Sequence, residues 1–403
     1  MKESLITKPH KNKNWKTTDK QSHICIDPII NQSPSTRIMC LTTSTPSLSI
    51  EAPSRAALRT ARRVCIKAGT SIVANEDGRP SLTRLGAIVE QIAELNRRGV
   101  EVIFVSSGAV GMGERTLRKQ GKLNMTLTEL TQQHHFGSSP HRYSGIEPHI
   151  TSHASSTASL LSMNNEEIHS MEDIKSHYDS ACAAAGQFDM MNLYSSLFAQ
   201  ADASASQILV TQADFSNEKS ARNLNYAVER LLGLGIVPII NENDAVSGGF
   251  TEDNFFSDND SLAALCARNF GAEVLLLLTD VDGVYDSSPK ENPDAKLLSF
   301  YRDEVEISIG TKSSQGRGGM ASKIQAAKSA VAPGSKCTAC VVIGGSDLNS
   351  IRGVLGAHST RGQKKGTLFV TPGSDLEKQA IIDFKNEEVI ANKSFLKPRH
   401  HGV

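Results

Sequence analysis

An α/β fold built on a mainly parallel sheet is what the sequence predicts, on three observations. Strand, helix and strand patterns follow one another from 64 to 105, and about forty residues is the length of a βαβ unit. Short continuous apolar runs, VEVIFV (100–105), IVPII (236–240) and VLLLLTD (274–280), recur between segments of helical period. Polar or glycine-rich clusters then follow the strands: KAGT (67–70), SSGAVG (106–111), NEND (241–244) and TDVDG (279–283). Parallel α/β sheets gather such loops along one edge.

The elements follow in order. VCIKAGTSIV (64–73) is β-branched and reads as the first strand. Leu85, Ile88, Val89, Ile92 and Leu95 recur at helical spacing, with Arg97 and Arg98 in the last turn and Gly99 beyond, so a helix stops there. Between about 121 and 180 the rhythm breaks, in a stretch holding seven of the twelve histidines. No pair among them stands at i, i+4 on an evident helix with a carboxylate partner, so a mobile surface insertion is expected rather than a metal site. Order resumes at ACAAAGQFDMMNLYSSLFAQ, of helical composition, and QILVTQADF, of strand composition. A helix carrying Leu224, Ala227, Val228, Leu231 and Leu232 on one face ends at Gly233 and Gly235. Later come a helix from near Ser261, a long helix with Ile324, Ala327 and Val331 on one face, and the strand CTACVVIGG. The Cys337-x-x-Cys340 pair enters that strand and reads as core, because zinc needs a second pair and redox motifs an exposed turn.

Composition narrows the function classes. Lysine plus arginine equals aspartate plus glutamate at 43 each, which gives no polyanion-binding surface, so nucleic acid is not an expected partner. The apolar runs are far shorter than the roughly 20 residues a membrane span needs, so no membrane association is expected. Seven scattered cysteines fit a reducing compartment. Residues 1–60 lack periodicity and, counted to Arg63, carry eleven basic against four acidic residues. They read as a disordered basic leader, whose acid-poor, Ser-rich composition equally suits a transit peptide. The expected location is cytoplasmic, with mitochondrion or plastid the alternative if the leader is a transit peptide. The ordered domain is expected at 61–372, interrupted at about 121–180, with a tail at 373–403.

The residues that bear chemistry sit at strand ends and helix starts. Lys67 closes an apolar strand, where its ammonium must reach solvent or meet an anion. Ser107 and Gly108 offer a hydroxyl and unhindered amides at a helix start, an anion seat. Their glycines run G-x-x-G-x-G, and no acid follows about twenty residues on, which speaks against a dinucleotide fingerprint. Asp244, with Asn241 and Asn243, is either a turn former or a polar contact. Asp258, Asn259 and Asp260 precede a helix that one of them can cap, and three exceed what a cap needs. Thr279 and Asp280 end the most apolar strand. GRGGMASK (316–323) opens a helix with free amides and Lys323, a combination that favours phosphate. It is not a Walker loop: four residues separate Gly318 from Lys323, and no glycine immediately precedes the lysine.

Taken in order, INENDAV, DNDSLAAL, LLLTDVDGVY, GRGGMASK and GTLF resemble the amino-acid kinase family. Within it they resemble the glutamate 5-kinase branch, including the kinase portion of pyrroline-5-carboxylate synthases. The resemblance covers about 61–118 and 181–370, and it implies a three-layer αβα sandwich holding both substrates on one sheet edge. It also implies that Ser107, Gly108, Asp244 and Asn259 hold L-glutamate. ATP, with Mg²⁺ riding on its phosphates, would be held by Lys67, Thr279, Asp280, Arg317, Gly318, Gly319, Met320, Ala321, Ser322 and Lys323. Lys67 and Lys323 would flank the transferring phosphoryl group with Asp260 positioning them, and no residue is assigned to a dedicated metal site. The implied reaction makes γ-glutamyl phosphate, the first step of proline biosynthesis. The alternatives are a kinase acting on N-acetylglutamate, aspartate or UMP, or a non-catalytic nucleotide- or proline-binding regulator. Proline as feedback inhibitor, a homo-oligomer and a separate glutamyl phosphate reductase are implied partners, the 33 residues after Val370 being too few for a fused reductase.

Overall fold

A computed structural model describes residues 52–124, 171–246, 258–289, 291–304, 307, 319–357 and 366–395. Among them the apolar runs become strands β1 (Arg63–Ala68), β2 (Glu101–Ser106), β3 (Ser204–Val210), β4 (Ile236–Glu242), β5 (Val274–Thr279), β6 (Ala339–Gly344) and β7 (Thr367–Val370). They form one sheet in the order β3-β4-β2-β1-β5-β6-β7, and each pairing is parallel except β6 with β7.

Period-two alternation divides the apolar residues between two cores. Val64, Ile66, Val102, Phe104, Leu276 and Leu278 face one side. There they meet helices α3 (Leu82–Arg97), through Leu85, Ile88 and Ile92, and α5 (Met171–Gln200), through Met190, Tyr194 and Phe198. Cys65, Ile103, Val105, Leu275 and Leu277 face the other side, with α7 (Glu218–Gly233), α8 (Asn259–Asn269) and α9 (Met320–Ala330). The result is the expected αβα layering. Cys337 and Cys340 are both free and buried, and burial pushes the Cys337 thiol up to about 12, so both act as core residues. No helix among the described residues is long and apolar enough to cross a membrane.

Several expectations are corrected. The run 64–73 is not one strand: β1 ends at Ala68, and Thr70–Val73 forms the short helix α2, whose Ile72 and Val73 are buried against the core. Burial of these two side chains overrides their β propensity. QILVTQADF likewise splits after Val210. Gln212–Ser216 is helix α6, started by a capping box in which the Thr211 amide donates to the Asp214 carboxylate at 2.7 Å. The ordered domain also begins before 61. Helix α1 (Pro53–Ala57) is held by Arg55, which donates to the carbonyls of Ser299 (2.5 Å) and Gly366 (2.8 Å), and by the Ser54 amide donating to Asp383 at 2.8 Å. Asp383 belongs to α10 (Asp375–Phe395), so residues 375–395 of the expected tail form a docked helix burying Ala380 against the core. Both ends of the expected insertion are helical too, 121–124 closing α4 (Ala109–Asn124) and 171–180 opening α5; residues 125–170 lie outside the described residues.

Helices α4 and α5 cross with their backbones in contact. A Cβ on Gly113 would collide with the Cys182 carbonyl, and one on Gly186 with the Ala109 carbonyl, so both positions admit only hydrogen. Gly186→Ala is expected to cost about 3 kcal/mol, the upper range for overpacking. That corresponds to a fall in Tm on the order of 10 °C by calorimetry, and an unchanged Tm would show that the crossing can open at no cost.

Candidate active site

Parallel register puts the carboxyl ends of the central strands side by side. Lys67 pairs with Val105 and Leu277, and Ala68 with Ser106 and Leu278, so the turns after β1, β2 and β5 open onto one edge. Lys67 alternates onto the face of Cys65, where α8 packs through Leu262 and Ala263. The first turn of α8 therefore meets the lysine. Lys67 Nζ lies 2.7 Å from Asp260 Oδ1, and Lys323 Nζ, from the first turns of α9, lies 3.1 Å from Oδ2. One carboxylate, 1% exposed, holds two ammonium groups.

Burial by itself pushes the Asp260 carboxyl upward. The charges and hydrogen bonds of the two lysines outweigh it and hold the group below the usual carboxylate value, and the positive end of α8 acts in the same sense. Asp258 sets the geometry. Its carboxylate caps α8 by accepting from the amides of Asp260 (3.1 Å) and Ser261 (2.9 Å), and it also accepts from the Ser322 hydroxyl. The starts of α8 and α9 are thus tied together, which aims Lys323 at Asp260. A Cβ at Gly69 would stand 3.3 Å from Lys67 Nζ, a tight contact that the glycine spares the ammonium.

A second polar group lies beside the first. Gly108 adopts φ +108, a conformation that side chains resist, and it turns the chain from β2 into α4. Ser107, 6% exposed, accepts from Asn259 Nδ2 at 2.9 Å. The same Nδ2 donates to Asn241 Oδ1 at 3.2 Å. Asn241 is not a turn residue as its neighbours suggested: it lies within β4 and is 1% exposed.

These residues line a cleft of about 300 Å³. Its walls carry the carboxyl groups of Asp179, Glu242, Asp244, Asp258, Asp260 and Asp280 against the ammonium groups of Lys67 and Lys323. Carboxyl groups therefore outnumber ammonium groups on these walls. Among the described residues no group of three or more His, Cys, Asp or Glu side chains is placed to hold a metal ion.

Of the residues singled out in sequence, Lys67, Ser107, Gly108, Asp244, Asn259, Asp260, Thr279, Asp280 and Lys323 all line this cleft. Thr279 Oγ1 donates to Asp280 Oδ1 at 3.0 Å. Gly319, Met320, Ala321 and Ser322 form the head of α9. Arg317 and Gly318 lie outside the described residues. Asp179 was missed, because it falls within the stretch read as an insertion. The linking role of Asp258 was missed because its partner stands 64 positions away.

The amino acid kinase family matches residues 62–343 of the chain. The chain is 40% identical over 324 residues to delta-1-pyrroline-5-carboxylate synthase 1 of Oryza sativa subsp. japonica, an alignment covering 79% of this chain and 38% of that one. The chain thus spans well under half the length of such relatives. It is 32% identical over 317 residues to glutamate 5-kinase of Clostridium acetobutylicum, covering 78% of this chain and 96% of that one. Among solved structures it overlaps UMP kinase from Bacillus anthracis at 16% identity and a TM-score of 0.43, covering 78% and 97% of the two chains.

Proposed function

Because this chain belongs to the amino acid kinase family, we propose that it transfers the γ-phosphoryl group of MgATP to the γ-carboxylate of L-glutamate. The products are ADP and γ-glutamyl phosphate, and the reaction would open proline biosynthesis. The observation that carries the reading is the buried Lys67–Asp260–Lys323 group in the wall of the cleft.

The residue types suit the chemistry. A carboxylate oxygen is already a nucleophile, so no base has to remove a proton: a new oxygen–phosphorus bond forms, the β–γ bridging bond breaks, and ADP leaves with the electron pair. What the protein must supply is alignment of two anions and neutralisation of charge spreading over the phosphoryl oxygens. Two ammonium groups on one carboxylate leave a net positive charge, fixed in place before substrate arrives. Mg²⁺, carried on the nucleotide phosphates, supplies further neutralisation. The Asp244 carboxylate suits the substrate's α-ammonium, and the Ser107 hydroxyl with the amides at the start of α4 suits a carboxylate.

The test is direct. The protein is incubated with MgATP, hydroxylamine and, separately, glutamate, N-acetylglutamate, aspartate or UMP, and ADP and hydroxamate are measured. Glutamate is expected to yield both. A folded protein that makes no hydroxamate from glutamate overturns the proposal, and ADP formed with another acceptor names the replacement.

A further inference from the structure

We propose, resting on the glutamate reading above, that Gln187 is a positioning residue: it anchors a chain of side-chain amides that makes the cleft demand an α-amino group on its substrate. Gln187 lies on α5, 8% exposed, one residue after the glycine whose contact with the Ala109 backbone fixes the depth of that helix. Its Oε1 accepts from Asn241 Nδ2 at 2.9 Å. Asn241 Oδ1 accepts in turn from Asn259 Nδ2, which also donates to Ser107 Oγ. Four side chains from α5, β4, α8 and the β2–α4 turn are therefore joined in one direction.

That direction decides what the cleft presents. With its nitrogen committed to Asn241 and Ser107, Asn259 is left with Oδ1, a buried acceptor that has no hydrogen-bond partner among the described residues. Ser107, already accepting, has its hydroxyl proton left to give. An acceptor beside a donor, on a wall that also carries Asp244, matches an ammonium next to a carboxylate. Turned over, the chain of amides would put the Asn259 NH₂ toward the cleft and repel an ammonium. In the observed direction Gln187 Oε1 gives Asn241 Nδ2 a buried acceptor, which an apolar side chain at 187 would not. The Gln187 Nε2 atom is buried with no partner among the described residues.

The experiment compares glutamate with glutarate, which lacks the α-amino group, in the hydroxamate assay. Gln187→Met removes the acceptor at nearly constant volume. It is expected to lower the glutamate-to-glutarate ratio of kcat/KM about tenfold or more, with KM for glutamate rising more than kcat falls. Gln187→Glu keeps a carboxyl oxygen that can accept from Asn241 Nδ2, so it permits the observed direction. It is expected to keep the ratio within about threefold of the parent. A folded Gln187→Met protein with an unchanged ratio overturns the proposal. So does a Gln187→Glu protein that loses the ratio, an outcome readable even if the methionine variant does not fold. Failure of the parent protein to use glutamate at all would instead strike the proposed function.

Discussion

Lys323→Ala is expected to lower kcat with glutamate about a thousandfold while moving the glutamate KM by less than about threefold. The lysine side chain is 12% exposed and its ammonium is held 3.1 Å from Asp260 Oδ2, so its charge is oriented before substrate enters. A charge fixed in this way does its work where new charge develops, on the oxygens of the phosphoryl group in flight, and not on the distant α-amino and α-carboxylate groups of glutamate. Removing it leaves Asp260 neutralised by Lys67 alone, and the net positive charge of the three-residue group disappears. Removal of one preorganised donor typically costs about a hundred- to a thousandfold in rate, and loss of a full charge belongs at the upper end. Steady-state kinetics with glutamate and MgATP varied separately would measure it. Equal losses in kcat and in glutamate affinity would mean that Lys323 holds the ground state and is not aimed at the transition state.

Most of this site could be read before folding, because its signals are local. A lysine closing an apolar strand, a serine and glycine at the next turn, and a glycine-rich helix start each announce themselves within a few residues. Parallel topology then brings strand ends together without further information. What could not be read is partnership at a distance. Nothing near Gln187 says that its acceptor is Asn241's partner, 54 positions on, and nothing near Ser322 names Asp258. Other misses had a signal that was passed over. Thr211 and Asp214 stand at capping-box spacing, which marks a helix start where strand composition suggested otherwise. Leu376, Ala380, Ile381 and Phe384 recur at the spacing of a helix face, in a segment expected to be a tail. Ile72 and Val73 carried a misleading one, since β-branched residues fit a short buried helix when the core behind them has room.

Asp260→Asn should cut kcat on the order of a hundred- to a thousandfold, although the side chain keeps its shape. A carboxylate offers an acceptor oxygen to each lysine, whereas an amide offers one acceptor and turns a donor toward the other ammonium. Either Lys67 or Lys323 must then move away, and transfer needs both in place. The same change should unsettle the fold. The pair is buried, and breaking a buried pair by deleting one partner costs about 3–5 kcal/mol because the remaining charge stays uncompensated. The pH dependence of that loss identifies its source. The folded Asp260 carboxyl is held below its ordinary value, so the unfolded chain takes up the proton more readily and acid favours unfolding. The stability that this carboxylate contributes is complete above the unfolded value of about 3.9 and is lost as pH falls through the lower folded value. Denaturant titrations of both proteins should therefore show a gap that keeps its full size from neutral pH down to about pH 4 and closes below it. A gap of constant size through that acid range would mean that the asparagine disturbs packing, and that the charge shared by the two lysines is not what holds this end of the sheet together.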